Sequence, residues 1–160
     1  MRAENDATET AVGSERIDVS DQVGQEAFSG MSARDRGLAL LDQLLGPEHA
    51  QAARATWHAL APEFESYVVE FLSAQVWHRA ALERRIRSLC TISVLAAMGR
   101  HRALELNIGI ALNNGATQEE IIETLLHIAP YAGFPACWEG LVIANRIFKE
   151  KKAEIAERKA

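Results

Sequence analysis

Asn113-Asn-Gly-Ala-Thr-Gln-Glu-Glu-Ile-Ile-Glu-Thr-Leu-Leu-His-Ile-Ala-Pro-Tyr-Ala-Gly-Phe-Pro-Ala-Cys-Trp138 is the stretch from which the rest of the chain can be read. Asn-Asn-Gly is a helix stop, because asparagine and glycine accept the left-handed conformation that closes a helix. Thr117 with Glu120 three residues on is a capping box, and Ile121, Ile122, Leu125 and Leu126 follow it at helical spacing. Pro130, Gly133 and Pro135 then interrupt the chain. His127, Tyr131, Cys137 and Trp138 are thereby gathered in an apolar setting, which reads as one wall of a pocket. If the helix continues through Pro130, His127 and Tyr131 share a face and present imidazole and phenol to one ligand.

Outward from this stretch the periodicity stays helical. Leu141, Val142, Ala144, Ile147 and Phe148 predict a last amphipathic helix before a charged end. Upstream, His101 to Leu112 forms a helix after Gly99, and another runs from about Ala81 to Met98. Ser32 with Asp35 resembles an N-cap pair opening a leucine-rich helix that ends at Gly46-Pro47, and Pro47 and Pro62 are placed as first residues of two more. In the Pro62 helix, Phe64, Tyr67, Val68, Phe71, Leu72 and Val76 form the expected inward face, with Glu63, Glu65 and Glu70 opposite. Trp77 and His78 close it, either as packing beside a surface histidine or as pocket lining. No stretch reads as a strand, so the fold class is all-α.

The 160 residues suit a single domain, here residues 31–155, or a subunit that completes its core by association. Residues 1–30 hold seven acids and two arginines without periodicity and read as a mobile acidic tail. That segment carries the whole formal charge of −5, leaving a neutral body with no basic stripe, which argues against nucleic acid or a membrane surface as partner. No apolar run approaches the roughly 18 residues of a membrane span. Cys90 and Cys137 form no Cys-x-x-Cys pair, and a reducing cytoplasmic setting is the simplest reading. No His-Glu-x-x-His, phosphate loop, dinucleotide fingerprint or serine elbow is present, so no metal and no cofactor are expected. Arg84, Arg85 and Arg87 crowd a helix start, where the dipole favours acids. They make either a solvated or intersubunit face or an anchor for a substrate carboxylate.

Three runs in order, from Leu82 to Arg100, from Ala111 to Ile121 and from Leu126 to Ala136, resemble the carboxymuconolactone decarboxylase family over roughly residues 60–150. The resemblance implies an all-helical fold assembling as trimers or hexamers, and either decarboxylation of a γ-lactone acid or thiol peroxidase chemistry. The peroxidase pattern Cys-x-x-Cys-x-x-x-His falls here on Arg100, Ala103 and Asn107, so no dithiol cycle is available. The decarboxylase pattern keeps a glutamate and a histidine, which fall on Ser88 and Asn107, neither a proton shuttle near neutral pH.

The implied activity then rests on other groups. Decarboxylation needs an electron sink, which a substrate carbonyl supplies, and a proton donor, for which His127 and Tyr131 are the main candidates and His101 another. Arg85 and Arg87 anchor the acid in this reading, Ser88 and Asn107 orient it, and Trp77, His101 and Trp138 line the pocket. The expectation is a cofactor-independent lyase, or an isomerase or cyclase, acting on a small or polycyclic carboxylate, lactone or enolisable carbonyl compound. The competing expectation is a non-catalytic oligomeric scaffold or ligand-binding protein that kept the fold.

Overall fold

Prolines and glycines set the element boundaries. In a computed structural model describing residues 30–157, α1 (Ala33–Leu45) starts at Ser32, whose hydroxyl accepts from the Asp35 backbone N–H at 3.1 Å. It stops at Gly46, whose φ of +83° suits glycine. Pro47 and Pro62 open α2 (Pro47–Leu60) and α3 (Pro62–Ser66), where a missing N–H leaves no helical bond unmade. The sequence predicts one α-helix from Pro62 to Val76. Instead α3 passes into a π-helical segment, Tyr67–Val76, in which hydrogen bonds reach back five residues, as from Trp77 N–H to Leu72 O at 3.0 Å.

The second half holds α4 (Arg84–Ala97), α5 (His101–Asn113), α6 (Gln118–His127), the single turn α7 (Ala129–Ala132) and the long α8 (Phe134–Glu157). The helix expected from Ala81 thus begins three residues later. No strand occurs among the described residues, and the fold is all-α. The acidic tail expected over residues 1–30 lies, but for Gly30, outside them. From Met31 onward the chain is one compact unit.

Helices α4, α5, α6 and α8 enclose the main core around Ile92, Leu104, Ile108, Ile121 and Leu125, all fully buried. Each such side chain stabilises the fold by roughly 1.5–3 kcal/mol. The capping box is formed: Thr117 Oγ1 accepts from Glu120 N–H at 3.1 Å, and Glu120 Oε2 accepts from Thr117 N–H at 2.9 Å. A smaller cluster of Leu40, Leu44, Trp77 and Ile110 joins α1 to α5.

The face of the Pro62 helix is turned from the sequence expectation. Phe64, Tyr67, Phe71 and Leu72 are exposed and Glu65 is 4% exposed, while Val69, Ser73 and Trp77 continue its row at every fourth residue. Two contacts explain this. Gly37 lies so close to the Val69 carbonyl oxygen that any Cβ would collide with backbone, which brings α1 flush against the π segment. Glu65 is then received by Arg34 through two hydrogen bonds, at 2.8 and 3.1 Å, and Arg34 also reaches Glu70 at 3.3 Å. These carboxylates hold the Arg34 guanidinium above its ordinary pKa, Glu65 contributing most.

Glycines inside helices make a sharp comparison. Gly140 packs closely, since a Cβ there would lie 2.7 Å from Leu125 Cδ2 and the leucine would have to shift, whereas a Cβ at Gly109 would meet nothing within 4 Å. A helix-interior glycine costs about 1 kcal/mol relative to alanine. Gly109→Ala is therefore expected to stabilise the protein by about 0.5–1 kcal/mol, and Gly37→Ala to destabilise it by about 1–3 kcal/mol through overpacking. Urea unfolding midpoints check both; equal midpoints for the two variants would mean that the Gly37 contact is not constraining.

Candidate functional site

His127 is the last residue of α6, and the single turn of α7 carries Tyr131 back beside it. The turn is held by Tyr131 N–H to Ile128 O at 3.0 Å and Ala132 N–H to Ile128 O at 2.8 Å. Gly133, at φ +94°, then lets the chain turn into α8. The imidazole and phenol rings stand 5.4 Å apart between centroids, tilted by 48°. Helical continuity through Pro130 is not needed, since the broken turn itself brings the rings together.

Both groups face outward. Tyr131 is 79% exposed, His127 is exposed, and the His127 ring makes no hydrogen bond to another described residue. Phe134, Trp138 and Val142 follow along α8 at four-residue spacing, also exposed. The stretch thus presents an open aromatic surface. Cys137 is buried in the core beneath it, consistent with a packing role. His101 Nε2 lies 2.9 Å from Glu139 Oε2, pinning the start of α5 to α8 one residue beyond Trp138.

The remaining polar candidates are engaged within the chain. Arg84 donates to Gln43 Oε1 at 2.7 Å, and Arg87 donates to the carbonyl oxygens of Arg79 and Leu82 at 3.0 and 3.3 Å. Arg85 binds the Glu120 carboxylate, fastening α4 to the capping box, and lies 3.8 Å from Glu83. Ser88 is 1% exposed; its hydroxyl donates to Arg84 O and accepts from Asn114 Nδ2, both at 2.9 Å. Half-buried Asn107 donates to Ala103 O at 2.8 Å. Trp77 packs in the Leu40 cluster. The structure therefore joins His127 to Tyr131, with Trp138 on the neighbouring part of α8 and His101, at the start of α5, held beside it through Glu139, while Ser88, Asn107 and Trp77 are occupied elsewhere.

No motif or periodicity points to a cleft that the fold opens between α1, α5 and the last turns of α8. It holds about 180 Å³ and is lined by Leu44, Leu45, Leu106, Gly109, Ile110 and Ile147, with His49, Glu105, Asn113, Glu150, Lys151 and Glu154 at its edges. Two further spaces, of about 720 and 390 Å³, share Asn113 and Lys151 with it. None of the nine residues singled out from sequence lines these three spaces. Its walls come from three distant segments, so the only trace in the sequence is Gly109, an unforced glycine in a helix. No group of three or more His, Cys, Asp or Glu suited to a metal occurs among the described residues, and no described helix is long and apolar enough to cross a membrane.

Comparison with known proteins agrees with the fold. The sequence profile of the carboxymuconolactone decarboxylase family matches residues 62–146. A 4-carboxymuconolactone decarboxylase of Acinetobacter baylyi is 34% identical over 115 residues, covering 72% of this chain and 86% of that protein. A nitrosuccinic acid decarboxylase of Metarhizium robertsii is 29% identical over 116 residues, covering 72% and 81%.

The Ser88 and Asn114 side chains form a structural bond between α4 and the end of α5. Ser88→Ala and Asn114→Ala are expected each to cost roughly 1 kcal/mol, with a coupling of about 0.5–1.5 kcal/mol in a double-mutant cycle. Denaturant titration of the four proteins measures it, and strictly additive losses would rule out the bond as a stabilising contact.

Proposed function

The chain belongs to the carboxymuconolactone decarboxylase family, and on that premise we propose that it is a decarboxylase-type lyase acting on a small or polycyclic carboxylate, lactone or enolisable carbonyl compound. The carrying observation is that two relatives covered over most of their length are decarboxylases by name. One name carries a lactone and the other a nitro group, and each such group withdraws electrons. The reaction class we infer is accordingly one in which the substrate supplies its own electron sink. Loss of the glutamate and histidine of the family pattern widens the proposal to a related isomerisation or cyclisation, in a biosynthetic pathway.

In the proposed step the C–C bond to the carboxylate breaks and its electron pair moves into the adjacent electron-withdrawing group. Carbon dioxide leaves, and the enolate or equivalent carbanion takes a proton from His127 or Tyr131, which recovers it from water. The ring pair at 5.4 Å supports this assignment, because both groups can donate and neither is tied up by another described residue. Proton transfer of this kind gains from a water-poor setting. We propose that a neighbouring copy provides it in a homo-oligomer, a trimer or hexamer, acting in the cytoplasm. The exposed rows Leu60, Phe64, Tyr67, Phe71 and Phe134, Trp138, Val142 are apolar surface of the kind that such contacts cover.

The test is product mass spectrometry and carbon dioxide release with lactone acids and nitro acids. Wild-type protein is expected to turn over at least one of them, and His127→Ala or Tyr131→Phe to lower kcat by roughly 10²–10⁴-fold, with Asn107→Ala close to wild type. Undiminished turnover by both ring variants would remove the site assignment. A folded oligomer inert toward every acid would instead indicate a non-catalytic scaffold.

A further inference from the structure

The cleft between α1, α5 and the end of α8 shares no lining residue with the His127 and Tyr131 surface and has no part in the proposed chemistry. Its floor is apolar. Leu44, Ile110 and Ile147, all buried, form it, with Leu106 exposed at the lip. Its volume of about 180 Å³ gives room for a single ring or a short alkyl group; an apolar cavity of about 150 Å³ is enough to hold benzene. Gly109 keeps the space open. It lies inside α5 without a positive φ, and no neighbour stands within 4 Å of where its Cβ would be. Glycine weakens a helix interior, and here neither the backbone nor the packing calls for one.

The charges at the edge cancel. Arg146 binds both Glu105 and Glu150, at 2.8 and 3.2 Å, and Lys151 lies 3.0 Å from Glu154. Arg146 foremost, and Arg102 with it, hold the Glu105 carboxyl below its ordinary pKa. Each carboxylate at the cleft is thus matched by a cation of the chain itself. A charged ligand would give up hydration there without meeting an unmatched counter-charge, a cost that an uncharged ligand escapes. Asn113 supplies an open acceptor: its amide nitrogen donates to Leu44 O at 2.7 Å, while its carbonyl oxygen makes no hydrogen bond to another described residue.

We propose that this cleft is a binding site for a small uncharged alcohol whose body is one ring or a short alkyl chain. The apolar body lies over Leu44, Ile110 and Ile147 where Gly109 leaves room, and the hydroxyl donates to the Asn113 carbonyl oxygen. Such a ligand differs in charge from the carboxylate proposed for the His127 surface, so the site is an accessory one and stands independently of that activity.

The experiment is calorimetric titration of the full chain with benzyl alcohol, with benzylammonium and benzoate as charged compounds of like size, and with benzyl methyl ether, which cannot donate a hydrogen bond. Methyl NMR of Leu44, Ile110 and Ile147 locates the ligand. Benzyl alcohol is expected to bind saturably and to shift these methyl signals, at least tenfold more tightly than either ion and at least threefold more tightly than the ether. Gly109→Leu, which fills the cleft, is expected to weaken binding tenfold or more. Should Gly109→Leu fold poorly, Gly109→Ala serves as the second variant, with an expected two- to fivefold loss. Binding unaffected by either Gly109 variant, an ion or the ether binding as tightly as the alcohol, or no saturable binding of benzyl alcohol would overturn the proposal.

Discussion

The approach of Gly37 to the Val69 carbonyl is the contact on which the first half of the chain depends. A side chain at position 37 would hold α1 away from the π segment, and the Arg34 to Glu65 pair would lose its geometry. With the two elements flush, a carboxylate on the packed face becomes tolerable because a bidentate guanidinium meets it at the surface edge. The aromatic row of the same segment must then face out. Backbone proximity thus selects the face ahead of side-chain hydrophobicity.

Much of the fold was legible in the sequence because it is written in local chemistry. Ser32, Pro47, Pro62, Gly99, Gly115 and the Thr117 to Glu120 box each fix a boundary through caps or torsion angles, and these boundaries hold in the structure. The turned face of the Pro62 helix was not legible. Its apolar spacing satisfies an α-helical template, while the π-helical hydrogen bonds and the buried Glu65 follow from packing against α1. Periodicity reports which residues can share a face and leaves open which face a neighbour claims.

The candidate site divides in the same way. His127 and Tyr131 were legible as a pair because their proximity comes from one short turn. The arginines, Ser88 and Asn107 have the right chemistry to meet a substrate, yet only the folded chain brings Glu120, Asn114 and nearby carbonyl oxygens into hydrogen bonds with them. The cleft at Gly109 was illegible because its walls meet only in three dimensions.

Helix α8 has one more consequence. It spans 24 residues and is pinned to α5 twice on the way, by Glu139 to His101 and by Arg146 to Glu105. From Trp138 to Lys151 it rises about 20 Å. One continuous element thus carries both the exposed aromatic row that begins beside His127 and a wall of the cleft at Ile147 and Lys151, so the two surfaces lie at opposite ends of the same helix.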